Sequence, residues 1–362
     1  MKKNQVILGI IVLAALVGLG IYGQHKHPFD FHAFGEQFRQ ADWKRIAIGV
    51  ACIYLGYVFR GVRWALLLRP NKHVSLFSQV SAQVIGFTGV ALIGRVADLT
   101  RPYLVAKKTG LTVSSQIAVY IVERLFDAGA MALIFSSVIL LSTMVPSLAW
   151  TLPHPEIFKK VGLWGLAGTV AGALFLVAIK VSGGLVASFF EKTLGVISSK
   201  FGAAVGDKIR SFRSGLDTLR TPADFFITLG LSLSMWGLIT VAYLETVRAF
   251  VASPQLASMT LAQGMVLLAS SGVASVIQLP IVGWFTQIGL VAGVLVKLFD
   301  VAPESATACA ATLLGVTFLS IIPVGLVWAQ IEHVSLRRVA HESEEAAHIE
   351  DLNTLADEPG EA

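Results

Sequence analysis

The 362-residue chain is 55% hydrophobic and only 14% charged, with a mean hydropathy of +0.72. That balance excludes a soluble globular protein, which would expose far more charge. The long charge-free runs suit membrane helices rather than the short alternating strands of a membrane barrel, and the net charge of +5 sits in particular loops, where it reports topology rather than nucleic-acid binding.

Met1-Lys2-Lys3 precedes an apolar run that shows no small-x-small cleavage site. An uncleaved first span over 5–23 is expected, inside an N-terminal unit 1–45 that closes with an interfacial amphipathic helix around 32–45. The next span, 46–68, ends among Arg60, Arg63, Arg69 and Lys72, which fits a cytoplasmic exit. Arg60 and Arg63 read there as snorkelling anchors.

Region 76–108 is apolar but interrupted near Gly94. Its arms, 76–89 and 97–108, are short against the ~20 residues of a full span. Spans follow at 114–145 and 160–181, then a basic loop over 182–223 and a span at 224–250. A second interrupted region, 261–300, breaks at Gln278-Leu279-Pro280-Ile281-Val282-Gly283. A straight helix there would lose its ladder at Pro280 inside lipid. The last span is 305–331. The tail 332–362 holds nine acidic residues and two arginines and is expected to be disordered.

Loop charges set the orientation. Lys2, Lys3 and the lysines and arginines of 182–223 predict cytoplasmic termini, whereas 146–158 and 251–260 contain no Lys or Arg and fit the outside. A single crossing at 76–108 would place Arg101, Lys107 and Lys108 outside, so that region is predicted to return to the side it entered. Region 261–300 does the same from the opposite side.

The two hairpins resemble each other. Gly89-Val90-Ala91 recurs as Gly272-Val273-Ala274, and Gly94-x-x-x-Asp98 recurs as Gly283-x-x-x-Gln287. Each half reads long helix, broken hairpin, long helix: repeat 1 over 46–145 and repeat 2 over 224–331, joined by 146–223. The expected class is therefore all-α: a polytopic integral membrane bundle with two inverted repeats, each containing a re-entrant or broken helical hairpin. Gly89, Gly94, Gly272, Pro280 and Gly283 are the expected hinge or tip residues.

Over 46–331 the chain resembles the flippase-like family, also called the lysylphosphatidylglycerol synthase transmembrane region. The carriers are Arg60-x-x-Arg63-Trp64, Gly94-Arg95-Val96-Ala97-Asp98-Leu99-Thr100-Arg101-Pro102-Tyr103-Leu104, Glu123-Arg124-Leu125-Phe126-Asp127 and Pro280-x-x-Gly283-x-x-x-Gln287. Similar proteins carry proline where Ile93 or Gly94 stands, Gly-Glu at Ala97-Asp98, and Glu at Gln287. Asp98 keeps its charge and Gln287 does not, so a mechanism needing a titrating carboxylate in each hairpin lacks its second group. In the best-known relatives this region accompanies an aminoacyl-transferase domain, which is not expected in the 32 residues after Gln330. The resemblance implies a bacterial cytoplasmic (inner) membrane and translocation of a polar or anionic lipid, with a separate lipid synthase as a further partner.

Glu123, Arg124 and Asp127 lie about one-third of the way along 114–145, roughly 14 Å from its start at 1.5 Å per residue. Each intramembrane charge costs on the order of 2.5–3.5 kcal/mol, so the three must face partners or water. Two readings stay open: a network pinning the hairpin to the helix, with Arg124 held by Asp98 or Asp127, and a polar cavity for a lipid head group. Arg95 and Arg101 can grip a phosphate bidentately or simply anchor the hairpin. The expected lipid-binding set is Arg95, Asp98, Arg101, Glu123, Arg124, Asp127 and Gln287. Glu245 and Arg248 are expected to pair locally, and Cys52 and Cys309 to be packing residues.

No HxxH pair, carboxylate-rich metal motif or P-loop occurs, and all eight histidines fall outside the expected core. No cofactor, metal or catalytic residue is expected. A carboxylate-based membrane transferase and a non-transporting partner of a lipid synthase remain open at this level.

Overall fold

The computed structural model describes residues 29–70, 72–145, 152–153, 155–196, 198–216, 221–274 and 282–335. The expected first span, Pro280 and nearly all of the acidic tail lie outside the described residues. Among the described residues the elements are all helical. Six helices among these residues are long and apolar enough to cross a membrane.

Helix α1 (Phe31–Gln40) is the amphipathic segment expected near 32–45, ending earlier. Asp30 caps it by accepting from the His32 and Ala33 backbone N–H groups at 2.8 and 3.0 Å. These two bonds, that to Ala33 first, hold the Asp30 carboxyl below its ordinary range. Phe34 and Phe38, one turn apart, pack on the core beside Phe250. The chain breaks at Ala41–Asp42, where the Asp42 N–H donates to Ala249 O at 2.8 Å. Helix α2 (Trp43–Leu68) then crosses.

The first interrupted region is two packed helices. α3 (Leu76–Ile93) ends at Gly94, whose φ of +91° is open to glycine and strained for other residues. A 3₁₀ turn (Arg95–Leu99) leads into α4 (Thr100–Thr109). The hinge expected at Gly89 does not occur; α3 runs through it as a buried helical residue and is long enough to count among the six candidate spans. Thr112 caps α5 (Val113–Met144), which holds the charged cluster.

Helix α6 (Pro155–Gly195) runs 41 residues with a break in helical geometry at Ser182, and α7 (Ser199–Leu216) folds back on it. The stretch 182–223, expected as a loop, is thus mostly helical. Val186, Phe190, Val205 and Ile209 join the two helices, and Arg210 pairs with Glu191 and with Asp207. A Thr221–Asp224 capping box with Pro222 starts α8 (Pro222–Arg248). After the one-turn α9 (Pro254–Ala257) come α10 (Leu261–Ala274) and α11 (Val282–Phe299), again a packed pair. Gly272 sits in the last turn of α10 and Gly283 in the first turn of α11. The closing helix comprises α12 (Pro303–Leu314), a π-turn (Gly315–Leu319) and α13 (Ile321–Ile331).

The contacts come in matched pairs. α2 packs along α8. α3 packs on α2, and α10 on α8. α4 meets α5, and α11 meets α12. α3 also packs on α13, the end of the last helix of the second half, while α10 packs on α5, the last helix of the first. Such crossings need close backbone approach, which small residues permit inside lipid. At Gly325 on α13 an added Cβ would stand 1.8 Å from Thr88 Oγ1 and 2.7 Å from Thr88 Cβ on α3.

Gly325→Ala is therefore expected to destabilise the bundle by about 1–3 kcal/mol, the usual range for overpacking. Thr88→Ala in the same chain should recover part of that loss, because Cβ remains in the way after Oγ1 is gone. Thermal unfolding of the three purified variants in one detergent measures both effects.

Candidate functional site

Three helices bring charge to one level of the bundle. α5 supplies Glu123 and Asp127, one turn apart, with Arg124 beside them. α2 supplies Arg60 and Arg63, three apart and so on one face. α4 supplies Arg101. Arg63 is the hub: its Nη2 donates to Glu123 Oε1 at 2.8 Å, and its Nη1 to Asp127 Oδ1 at 2.5 Å and to Ser232 Oγ on α8 at 2.7 Å. Arg60 Nη1 approaches both carboxylates at 3.4 Å. Arg124 Nη2 lies 3.0 Å from each.

Arg101 enters from the hairpin. Its Nη1 sits 3.3 Å from both Glu123 oxygens and 3.1 Å from Gln83 Oε1 on α3. Its guanidinium lies 4.4 Å from the Phe87 ring centre, 5.0 Å from Tyr120 and 5.9 Å from Trp64, so aromatic faces stand where hydrogen-bond acceptors are missing. Nε and Nη2 of Arg101 have no hydrogen-bond partner among the described residues. The hairpin has room for this side chain because position 86 is glycine: a Cβ there would fall 2.0 Å from Arg101 Cγ.

The Arg63 and Arg101 side chains are 1% and 0% exposed, and those of Glu123 and Asp127 are 2% and 6% exposed. Arg124 is 38% exposed. Four guanidiniums face two carboxylates, a surplus of two over the acids they pair with, while Asp98 acts on Arg124 from beyond ion-pair distance.

Three expectations change here. Arg60 and Arg63 are not anchors at the membrane surface; both are turned inward, where they pair with the carboxylates of α5. Arg101 is not an anchor either, being fully buried. Asp98, on the half-buried 3₁₀ turn, enters no ion pair among the described residues; of the two expected partners Arg124 pairs with Asp127, and with Glu123 as well. The side chain of Arg95 lies outside what the structure describes. Lys108 closes the hairpin by reaching Ser81 Oγ at 2.8 Å and Glu332 at 2.5 Å. The local Glu245–Arg248 pair is replaced by Glu245–Arg45 at 2.8 Å, with Arg248 donating to Met259 O at 2.9 Å. Cys52 and Cys309 are unpaired, as expected.

Gln287 is not in the charged cluster. Its Nε2 donates to Ser271 Oγ at 2.6 Å, tying α11 to α10. It lines a cavity of about 190 Å³ that also touches Arg60 and Phe87 from the first half, Ser271 and Gly272 from the second hairpin, and Thr317 of the π-turn. One void therefore joins the charged cluster to the neutral polar pair of the other half. Of the expected residues, Arg101, Glu123, Arg124 and Asp127 meet in one cluster, and Gln287 faces the same cavity as Arg60. No group of three or more metal-ligating side chains occurs among the described residues.

A family described as the lysylphosphatidylglycerol synthase TM region matches residues 6–325. The chain belongs to this family. Neither a curated relative nor a solved structure matches it. As a lysylphosphatidylglycerol synthase TM-region protein it is a multi-pass helical membrane protein, and Arg60, Arg63, Arg101, Glu123, Arg124 and Asp127 all fall inside the matched region.

Because Arg63 bridges both carboxylates, Arg63→Ala should destabilise the fold by about 3–5 kcal/mol, the range for stripping one partner from a buried pair. Arg63→Lys should recover only part of this, since one ammonium cannot reproduce the planar fork. Arg124→Ala should be milder because that side chain is over one-third exposed. Monodisperse yield and thermal unfolding of the three variants give the order.

Proposed function

We propose that this protein translocates an anionic lipid head group between leaflets through the cavity joining its two halves. The observation that carries this reading is the excess of guanidinium groups over carboxylates in the cluster, opening at Arg60 onto that cavity. A buried uncompensated charge is costly, and an anion entering beside it would recover that cost. The cavity is small for a whole lipid, since drug-sized ligand sites run about 300–1,000 Å³. It suits a head group whose chains stay in the bilayer.

The matched contacts of the two halves support an inverted-repeat reading, in which 76–109 and 261–299 are re-entrant hairpins entering from opposite sides. Loop charges support cytoplasmic termini in a bacterial inner membrane. In this scheme the first half offers the Arg60 guanidinium to the head group, and the second offers neutral groups: Trp236, Tyr243, Ser271, Gln287 and Thr317. The lipid would thus be held tightly on one side and loosely on the other. The protein acts without chemistry on the lipid, driven by the lipid gradient or the membrane potential, with a separate synthase supplying substrate.

Purified protein in liposomes should move a labelled anionic phospholipid between leaflets and leave its mass unchanged; a change of mass would point to an enzyme instead. Arg60→Gln should fold and slow that movement about tenfold, equivalent to loss of one charge-assisted hydrogen bond of about 1.5 kcal/mol. Gln287→Leu should slow it less.

Topology is checked separately. In a chain with Cys52 and Cys309 replaced by alanine, single cysteines at the exposed positions Lys107 and Ser198 should react with an impermeant reagent from one side, and one at Gln255 from the other. Reaction of Lys107→Cys on the Gln255 side would rule out the first re-entrant hairpin.

A further inference from the structure

A second void lies on the other side of α5. It is a groove of about 740 Å³ between α5, α6, α7 and the start of α8. Its lining is hydrocarbon and glycine apart from Trp164 and Thr169, and Thr169 Oγ1 already donates to Gly165 O at 2.8 Å. The groove thus offers almost nothing to a polar ligand.

Its width has a sequence cause. Gly129, Gly168 and Gly172 line it, and a Cβ at any of the three would meet no protein atom within 4 Å. Among the described residues, no helix fills the space that these glycines leave.

Length identifies the occupant. The lining on α5 runs from Ile121 to Leu133, about 18 Å at 1.5 Å per residue, and that on α6 from Trp164 to Ile179, about 22 Å. Both are shorter than the ~30 Å of a full crossing and nearer the ~15 Å depth of one leaflet, the reach of an acyl chain.

Charge at the rim identifies the head group. Arg124 lies three residues after Ile121 and four before Ala128, both in the lining, so it stands on the groove's edge. Its Nη2 holds Glu123 and Asp127 and its Nε is buried without a partner among the described residues, yet the side chain is 38% exposed, which leaves Nη1 as the donor facing outward. It belongs to the cluster in which guanidiniums outnumber carboxylates. A phosphate oxygen is the acceptor that rim lacks.

We propose that this groove seats an acyl chain of an anionic phospholipid whose phosphate engages Arg124. The site would present lipid to the cluster from the membrane side. It rests on the translocation reading only for its place in that process; the binding itself is independent of it.

The test uses the full-length purified protein and native mass spectrometry after exposure to dioleoylphosphatidylglycerol or dioleoylphosphatidylcholine. The wild type should retain the glycerol lipid in preference to the choline lipid. Gly168→Phe/Gly172→Phe places two rings in the groove from positions where a Cβ meets open space, and should cut retention of both lipids about tenfold at unchanged thermal stability. Arg124→Gln should keep chain binding and lose the preference. Gly289→Phe/Gly293→Phe, on α11 where a Cβ also meets open space, is the control for added bulk and should bind as wild type. Normal retention by folded Gly168→Phe/Gly172→Phe overturns the proposal. So does a wild-type dimer that this variant converts to a monomer, because a second copy would then fill the groove. Liposome translocation is measured on the same preparations: retention without translocation sinks the functional reading and leaves the groove standing, and translocation without groove-dependent retention does the reverse.

Discussion

Arg63 holds Glu123 and Asp127 in one fork and reaches Ser232 with the same guanidinium, so α2, α5 and α8 are tied at a single buried point. In lipid no water is present to take over these contacts, and hydrophobic burial between helices contributes little, because lipid tails are as apolar as leucine. What selects one arrangement of apolar helices over others is therefore the need to pair these charges. Each of α2, α4 and α5 is unfavourable alone at this depth, and each becomes acceptable only when the other two are docked. Arg101 extends the constraint to the hairpin: α4 must approach α3 closely enough for its stem to lie across Gly86.

Much of the fold was legible because lipid makes helices long, apolar and countable. Spans 46–68, 114–145, 160–181, 224–250 and 305–331 match helical segments of the structure to within two residues at their C-terminal ends, and the interruption at Gly94 marks a true helix end, since that backbone has φ +91°. The helical pair α6–α7 was not legible in the same way. Its second half is held by apolar side chains spaced among lysines and arginines, and charge density alone reads as loop. At the site, the acidic pair on α5 was legible from the cost of a carboxylate in lipid. Arg60 and Arg63 were misread because they run on toward Arg69 and Lys72, and a basic cluster at a helix end looks like an anchor. The signal that separates them is spacing: Arg60-x-x-Arg63 presents two cations on one helical face, matching Glu123-x-x-x-Asp127. No single-helix pattern tells which cations will find such a partner.

The two halves share contacts but differ in chemistry. In the first hairpin the arms are joined by Arg101 and Gln83, and in the second by Gln287 and Ser271. The first bond brings a cation into the bundle, and the second brings only neutral dipoles. An anion within the cavity would meet a gradient of attraction from one half to the other, set by side-chain identity on a nearly common framework. The π-turn sharpens this difference. It occurs in the last helix of the second half, where Thr317 and Phe318 face the cavity, whereas α5 is uninterrupted at the matching place. Widened turns of this kind re-aim side chains without breaking a helix.

Helix α5 also separates two environments within the same two turns. Glu123 and Asp127 point to the buried arginines, Ile121, Leu125 and Ala128 point to the apolar groove, and Arg124 stands between them. Its guanidinium lies 5.2 Å from the Tyr120 ring centre and shares two carboxylates with better-buried arginines, and it is the most exposed cation of the four. The deep arginines cannot leave without stranding the acids they hold. Arg124 can turn outward while Arg63 keeps both acids paired. That difference in commitment, rather than any difference in charge, makes Arg124 the member of the cluster able to meet an anion arriving from the lipid side.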